Sequence, residues 1–450
     1  MVKVKGSIYF LGIGGIGMSA LARYFRQQGY AVYGYDLHRT PLTSVLENEG
    51  MHIHYQPAID KIPEKLEKVI YTPAIPESNA EFAYLQEKGI AMMKRAEAIG
   101  EISQNLTTLA VAGTHGKTSI TAMLAHILQT AGLPFIAFIG GISKNFGSNF
   151  VNHKNPEYLV VEADEFDRSF LQLHPDKAII TSIDADHLDI YSDIDDLRYA
   201  FKQFALKVGS KGTLIYHQGL IGFEDVGAHK ISYGLGENTA FAGKNMRIES
   251  GHFYFELWNR GHLLTEIKMQ VPGRHYIENA IAAAAMAISS GIEVQTVKKA
   301  LETFAGVERR FDYRINESGC VYIDDYAHHP AELRATLEAV RTLYPEKKIT
   351  AIFQPHLYSR TRDFADGFAK ALSLIDRIIL LEIYPAREKP IPGVTSRLIY
   401  DKIEKSDKYL MTKTELLQFL QKEKPEVVLS LGAGDIGLMV QDIEQNLIAE

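Results

Sequence analysis

The segment Val111-Ala-Gly-Thr-His-Gly-Lys-Thr-Ser119 constrains the fold more than any other stretch, because it follows a short apolar run and opens an amphipathic helix. A strand, a glycine-rich turn, a lysine, a hydroxyl and a helix, in that order, make a phosphate-binding loop. Backbone N–H groups at the helix start and the Lys117 ammonium would surround the β- and γ-phosphates of a nucleoside triphosphate, and the Thr118 hydroxyl would hold Mg²⁺. Gly113, Thr114, His115, Gly116 and Ser119 supply the rest of the cradle. The helix is predicted from Ile120, Met123, Leu124, Ile127 and Leu128, which recur at helical spacing until Gly132 ends the pattern. A strict GxxxxGK[ST] motif needs glycine at 111, where this chain has valine, so the general pattern is met incompletely.

A second glycine-rich turn lies near the N-terminus. Ser7 to Leu11 reads as a buried strand, Gly12, Gly14 and Gly17 follow in GxGxxG spacing with Gly15 between them, and a helix is predicted over Met18 to Gln28. Asp36 ends the next apolar run. This is a βαβ nucleotide fingerprint: the glycines let the backbone approach a diphosphate, and the acidic side chain is placed to accept ribose hydroxyls. A nicotinamide-dependent oxidoreductase would use such a fingerprint but has no need of the triphosphate loop about a hundred residues later. Two nucleotide sites of different kinds point to one nucleotide consumed as energy source and another carried as a handle on the substrate.

A chain of 450 residues exceeds one core, and two or three domains of roughly 100–200 residues are expected. Strand and helix patterns alternate almost throughout, which predicts an α/β protein of three domains with mainly parallel sheets. The expected limits are 1–104 for a Rossmann-like domain, 105–305 for a central domain resembling phosphate-loop ATPases, and 306–450 for a second Rossmann-like domain. Within the central domain, Lys211 to Met269 shows shorter alternating segments and reads as antiparallel strands. A net charge of −7 without long basic runs argues against nucleic acid as a partner. The single Cys320 suits a reducing compartment. With no signal-like or membrane-length apolar segment, a cytoplasmic protein without a membrane partner is expected, as a monomer or homodimer.

Acidic clusters end two strands of the central domain. In Glu162-Ala-Asp-Glu-Phe-Asp167, Glu162 and Asp164 would share one side of an extended segment, and Asp184-Ala-Asp-His187 ends the next strand in the same way. Mg²⁺ prefers oxygen ligands and is commonly held by one or two carboxylates, a loop hydroxyl, water and substrate phosphates. The bland alternative, solvated strand-end turns, is weakened by two such loops in the phosphate-loop domain.

Taken in order, these motifs resemble the Mur ligase family, the ATP-dependent amide-forming enzymes of bacterial peptidoglycan synthesis. The carriers are GIGGIGMSA from Gly12, GTHGKT from Gly113, EADE from Glu162, Asp186-His187, GRHYIENA from Gly273, Arg309-Arg310-Phe311, DDYAHHP from Asp324, Gln354-Pro-His356 with Arg360 and Arg362, and GAGDI from Gly432. The family has a shortened GTxGK[TS] loop, so Val111 fits it; Phe166 and Ser119 stand where serine and threonine are common. The resemblance implies ATP, UDP-N-acetylmuramate and L-alanine as substrates and Mg²⁺, or Mn²⁺, as cofactor. Lys117 would bind the phosphates, Thr118 and Glu162 would bind the metal, and His187 would serve a second metal. His275 and Asn279 match positions near adenine, and Arg310 and Asp325 match positions that reach ATP from the third domain. The N-terminal fingerprint would hold UDP and not NAD. The implied chemistry is attack of the muramate carboxylate on the γ-phosphate, giving an acyl phosphate that the alanine amine then opens.

The third domain offers candidates for the amino acid. His328 and His329 precede Pro330 at a strand-to-helix turn, where either could cap the helix or act as a base. His356, Arg360 and Arg362 open the next helix, and an amino-acid carboxylate needs a guanidinium-like partner. Gly432 to Gly437 repeats the GxGxxG spacing without a second strand to complete a βαβ unit, and reads as a tight turn onto a terminal helix. Competing functions are a recycling ligase that adds a preformed peptide, the oxidoreductase above, and a nucleotide-gated binding protein.

Overall fold

The computed structural model describes residues 5–184, 190–317, 319–386 and 388–448. Its first sheet is built from β1 (Ser7–Leu11), β2 (Ala31–Tyr35), β3 (His52–His54), β4 (Lys68–Tyr71) and β5 (Met92–Lys94), interleaved with α1 (Ile16–Gln27), α2 (Pro41–Asn48), α3 (Ala80–Glu87) and α4 (Arg95–Ser103). The order is β3-β2-β1-β4-β5 and every pairing is parallel. Strand order reverses beside β1, so a crevice opens at the carboxyl ends where the Gly12 turn leaves that strand.

The central sheet begins with β6 (Thr107–Ala112), followed by α5 (Lys117–Thr130), β7 (Phe135–Ser143), β8 (Ser148–Asn152), β9 (Tyr158–Ala163), β10 (Lys177–Ile180) and α6 (Ile194–Lys207). It continues through β11 (Thr213–His217), β12 (His229–Gly234), β13 (Phe241–Glu249), β14 (His252–Asn259) and β15 (His262–Met269), and then α7 (Arg274–Ser289) and α8 (Val294–Glu302). The run β8-β7-β9-β6-β10-β11-β12-β13 is parallel except at the β7–β8 edge hairpin. The expectation of antiparallel strands from Lys211 onward is therefore corrected for β11 to β13. Their connections carry no helical period, but the chain still crosses back to enter each strand in the same direction. Strands β6, β9 and β10 are buried on both faces, as their unbroken apolar runs require.

The third sheet contains β16 (Asp312–Asn316), β17 (Val321–Asp325), β18 (Ile349–Phe353), β19 (Arg377–Leu380), β20 (Lys408–Leu410) and β21 (Val427–Leu431), with α9 (Pro330–Leu343), α10 (Tyr358–Leu372), α11 (Arg397–Tyr400), α12 (Lys413–Glu423) and α13 (Val440–Ile448) between and after them. Its order is β16-β17-β21-β18-β19-β20, parallel apart from the β16 edge.

Three domains were expected; the described residues form three sheets, and the chain divides into two compact units. One gathers the chain up to Asn245 with Phe255–Ile267 and Glu278–Phe304; the other holds Met246–Tyr254, Lys268–Ile277 and the chain from Ala305. The first two sheets merge because α1 packs against β7 and β8. Tyr24 meets the rings of Phe138 and Phe150 edge-on at 6.0 and 6.4 Å, and Arg23 bonds both Glu49 and the buried Asn149. One apolar core, from Ile8 through Phe138 to Ala228, runs under both sheets. Among the described residues, no helix is long and apolar enough to cross a membrane.

Candidate active site

Three neighbouring strands end at the phosphate loop. Parallel register sets Val111 level with Glu162 and Ala112 level with Ile180, so the carboxyl ends of β9, β6 and β10 finish together. Gly113 has φ 135°, and a Cβ there would lie 1.9 Å from Thr181 Oγ1; no other residue type fits. Gly116 has φ 83° as the residue before α5, a left-handed turn that favours glycine and aims the first helical N–H groups into the loop. The strand end of β10 pins the loop. Thr114 N donates to Ser182 O at 3.1 Å, the Thr114 and Ser182 hydroxyls lie 2.7 Å apart, and Thr181 Oγ1 donates to His115 O at 2.5 Å. His115 also lies 3.1 Å from Asp184. Ser119 is buried inside the first turn of α5. Asn279 of α7 packs on the loop, its Oδ1 2.6 Å from where a Cβ on Gly116 would stand.

Charge is concentrated at the first residue of α5. Lys117 Nζ donates to Gly113 O at 2.7 Å and to both oxygens of Glu165 at 2.8 and 3.0 Å. Burial opposes the ammonium charge, but Glu165, Asp164 and Glu162 together outweigh it and raise the lysine above its ordinary pKa. Beside it, Thr118 Oγ1 donates to Glu162 Oε2 at 3.2 Å, and Glu162 Oε1 accepts the Gly140 N–H at 2.6 Å. A Cβ on Gly140 would lie 2.5 Å from Glu162, so that glycine leaves the carboxylate its room. One hydroxyl and one carboxylate in mutual reach, next to a phosphate loop, fit an oxygen-liganded Mg²⁺ whose remaining positions go to phosphate and water. Among the described residues no cluster of three or more His, Cys, Asp or Glu side chains that could hold a metal ion occurs. His187, expected as a second-metal ligand, lies outside the described residues, as does Asp186.

The N-terminal turn has no charged residue within Gly12 to Gly17. Gly12 (φ 86°) and Ile13 both donate to Tyr35 O, and α1 starts directly after Gly15. Gly14 N donates to Asp36 Oδ2 at 2.7 Å, so Asp36 braces the turn through its own carboxylate. A Cβ at Gly14 would stand 2.6 Å from the Thr43 methyl and 2.8 Å from Asp36. At Gly17 it would stand 2.7 Å from the Arg95 guanidinium, whose other nitrogen is 3.5 Å from Asp164.

In the second unit, Arg310 lies over the Tyr326 ring at 4.9 Å and 3.9 Å from Glu332. Asp325 accepts the N–H groups of Phe311 at 2.9 Å and Ala327 at 2.8 Å; burial still lifts its carboxyl to about 6 against these bonds and Arg310. His275 stands on the first turn of α7 against Tyr276, with ring centroids 4.6 Å apart. His329 caps α9: its Nδ1 accepts from Ala331 N, and Glu332 completes the capping box. His328 lies 3.2 Å from Glu332 and edge-on to His356, centroids 6.0 Å apart. His356 stacks on Tyr384 and lies 3.4 Å from the buried Arg360.

Three family models match successive segments of the chain. The chain matches the Mur ligase family catalytic domain over residues 7–107, the Mur ligase middle domain over 111–287 and the Mur ligase glutamate ligase domain over 309–434. The chain belongs to the Mur ligase family. It is 46% identical to a UDP-N-acetylmuramate–L-alanine ligase of Christiangramia forsetii over 98% of both chains, and 47% identical to one of Flavobacterium psychrophilum over 98% of both. Among solved structures, UDP-N-acetylmuramate–alanine ligase of Thermotoga maritima superimposes with a TM-score of 0.82 at 28% identity, covering 98% of each chain. A murein peptide ligase of Psychrobacter arcticus, at 22% identity and TM-score 0.74 over 99% of each chain, shares the fold.

Residues expected from this Mur ligase's sequence gather at two places. Lys117, Thr118, Glu162 and Asn279 converge on the phosphate loop, and His328, His356 and Arg360 gather in the second unit. Arg362 does not join them: it bonds its neighbour Asp363, with its side chain 54% exposed, because it lies two residues along the helix from Arg360 and points elsewhere. Gly432 to Gly437 forms the expected tight turn. Gln354 accepts Ile436 N and donates to Asp435, and Arg309 donates to Gly432 O. Sequence reading passed over Tyr384, in a loop with no motif, and gave no role to Glu165, although it stands inside a quoted acidic cluster.

Proposed function

We propose that this Mur ligase joins L-alanine to the carboxylate of UDP-N-acetylmuramate in an ATP-driven reaction of peptidoglycan precursor synthesis, through an acyl phosphate. The observation that carries it is the phosphate loop in which Lys117, Thr118 and Glu162 stand together at the ends of β6 and β9. A carboxylate is a poor acyl donor at neutral pH; transfer of the γ-phosphoryl group gives it a leaving group. Such transfer asks mainly for positioning and charge neutralisation. Lys117 orients the β/γ-phosphates, the α5 N–H groups bind them, and Asn279 borders the adenine side. Thr118 and Glu162 are the residues that would hold Mg²⁺, which neutralises developing phosphate charge when bound.

The N–H groups at the start of α1 take the UDP diphosphate, in a turn already set by Asp36. His328, His356, Arg360 and Tyr384 receive the amino acid, with Arg360 the guanidinium for its carboxylate. By the family resemblance, Arg310, Asp325 and His275 are assigned to the nucleotide. Boundaries near 104 and 305 then separate sugar-nucleotide, ATP and amino-acid portions, and the cytoplasm supplies all three substrates. The relatives named for L-alanine addition match at 46 and 47% identity, against 22% for the peptide ligase, which favours the single amino acid over a preformed peptide.

Purified protein with Mg²⁺, ATP, UDP-N-acetylmuramate and L-alanine should release ADP and phosphate in equal amounts with the amide, and omission of any component should stop turnover. Release of AMP would overturn the acyl phosphate. Efficient turnover with an L-alanyl tripeptide but not with L-alanine would move the assignment to a recycling ligase.

A further inference from the structure

Glu165 has no part in the chemistry above, yet it holds the charge on which the phosphate loop depends. Its side chain is 1% exposed and both carboxylate oxygens face Lys117 Nζ. With Gly113 O they present three acceptor atoms to an ammonium that has three donors, so Lys117 is fully engaged inside the chain before any phosphate arrives.

The segment that aims Glu165 is tightly held. Tyr191 OH donates to the Glu165 carbonyl at 2.5 Å, and Phe166 N donates to Asp164 Oδ1 at 3.1 Å. Asp167 and Arg168 then follow in the left-handed region at φ 53° and 52°, a conformation that non-glycine residues adopt only at a cost in strain. Lys94 anchors the first of these through Asp167 at 2.7 Å, and Arg168 is fixed by two bonds to Asp196 at 2.7 and 2.8 Å. Strain maintained in this way keeps a buried carboxylate beside the place where phosphates are to bind.

We propose that Glu165 is a positioning residue that competes with nucleotide phosphates for Lys117: it occupies the ammonium in the empty site, yields it to phosphate oxygens, and takes it back as ADP leaves. This rests on the ATP-site reading above. The exchange conserves charge pairing at Lys117 throughout, so the loop never holds an uncompensated buried cation. It also places a fixed negative charge near the phosphates, which weakens nucleotide affinity and favours release of product.

The sign of the effect separates this role from simple structural support. ADP binding to the full chain, titrated by calorimetry in magnesium-free buffer without sugar nucleotide or alanine, should tighten about tenfold in Glu165→Gln, the scale of one hydrogen bond to a charged group. Glu165→Asp, with its carboxylate drawn back from Lys117, should tighten binding by an intermediate factor, and a fluorescent ADP analogue should leave both variants more slowly. UDP-N-acetylmuramate affinity should not change. A folded Glu165→Gln that binds ADP equally well or more weakly overturns the proposal; if that variant does not fold, Glu165→Asp decides by the same criterion. Failure of the wild-type protein to bind ADP would instead overturn the ATP-site reading itself, and this inference with it.

Discussion

Two glycine turns leave parallel strands and enter helices in the first unit, and they prepare for phosphate in opposite ways. The turn at Gly12 to Gly17 has no charged residue of its own: the N–H groups at the start of α1 do the work, Asp36 fixes the Gly14 amide from the side, and the Arg95 guanidinium stands beside Gly17. The turn at Gly113 to Thr118 carries an ammonium on the first residue of its helix, largely buried, with Glu165 and the Gly113 carbonyl holding it. A diphosphate that serves as a handle needs only to be seated. A triphosphate that will be cleaved needs a charge able to follow the reacting oxygens, and such a charge requires a counter-ion while the site is empty.

The largest effect should come from removing that charge. Lys117→Ala is expected to lower ATP turnover by about three orders of magnitude or more, with UDP-N-acetylmuramate affinity by calorimetry nearly unchanged. It should also lower the thermal midpoint, since Glu165 is left buried without its cation. Comparable loss of sugar-nucleotide binding by well-folded protein would mean that the two turns do not act separately.

Gly14→Val tests the N-terminal turn. A branched side chain there meets Thr43 and Asp36 at contact distances no Cβ tolerates, and it blocks the approach of a diphosphate. The Michaelis constant for UDP-N-acetylmuramate should rise roughly ten- to a hundredfold, matching an overpacking cost of ~1–3 kcal/mol, with little change for ATP. Saturable NAD binding to the wild-type protein, insensitive to uridine nucleotides, would return the turn to an oxidoreductase role.

The smallest effect sharpens the role of Asp36. Because its Oδ2 is committed to the Gly14 amide, Asp36→Ala should loosen the turn and raise the same Michaelis constant roughly fivefold, the scale of one ~1 kcal/mol hydrogen bond. A loss as large as that of Gly14→Val would show instead that the carboxylate touches the ribose directly.

Much of this site was legible because its parts are local. A glycine at a left-handed turn, a lysine at the start of a helix and a carboxylate at a strand end each leave a mark within a few residues, so Gly116, Lys117 and Glu162 could be named from spacing. Glu165 was visible as a charge and invisible as a partner, because its approach to Lys117 depends on the register of β6 against β9 and on two strained residues after it. Tyr384 left no mark at all, since its stacking on His356 joins loops that follow different strands. The parallel β11 to β13 were misread for a related reason: alternation shows that a strand has one buried face, but strand direction is set by where the chain crosses over.

The sequence by itself determined the α/β class, the three sheets, both glycine turns and the family, because these rest on short-range periodicity and on side chains whose chemistry acts in place. Tertiary structure alone decided that the first two sheets share one core through α1, that Asp36 serves its own turn, and that Glu165 meets Lys117. Each of those outcomes joins segments more than twenty residues apart, and which buried groups meet across such a distance is settled by packing and by the cost of leaving a charge or an amide without a partner.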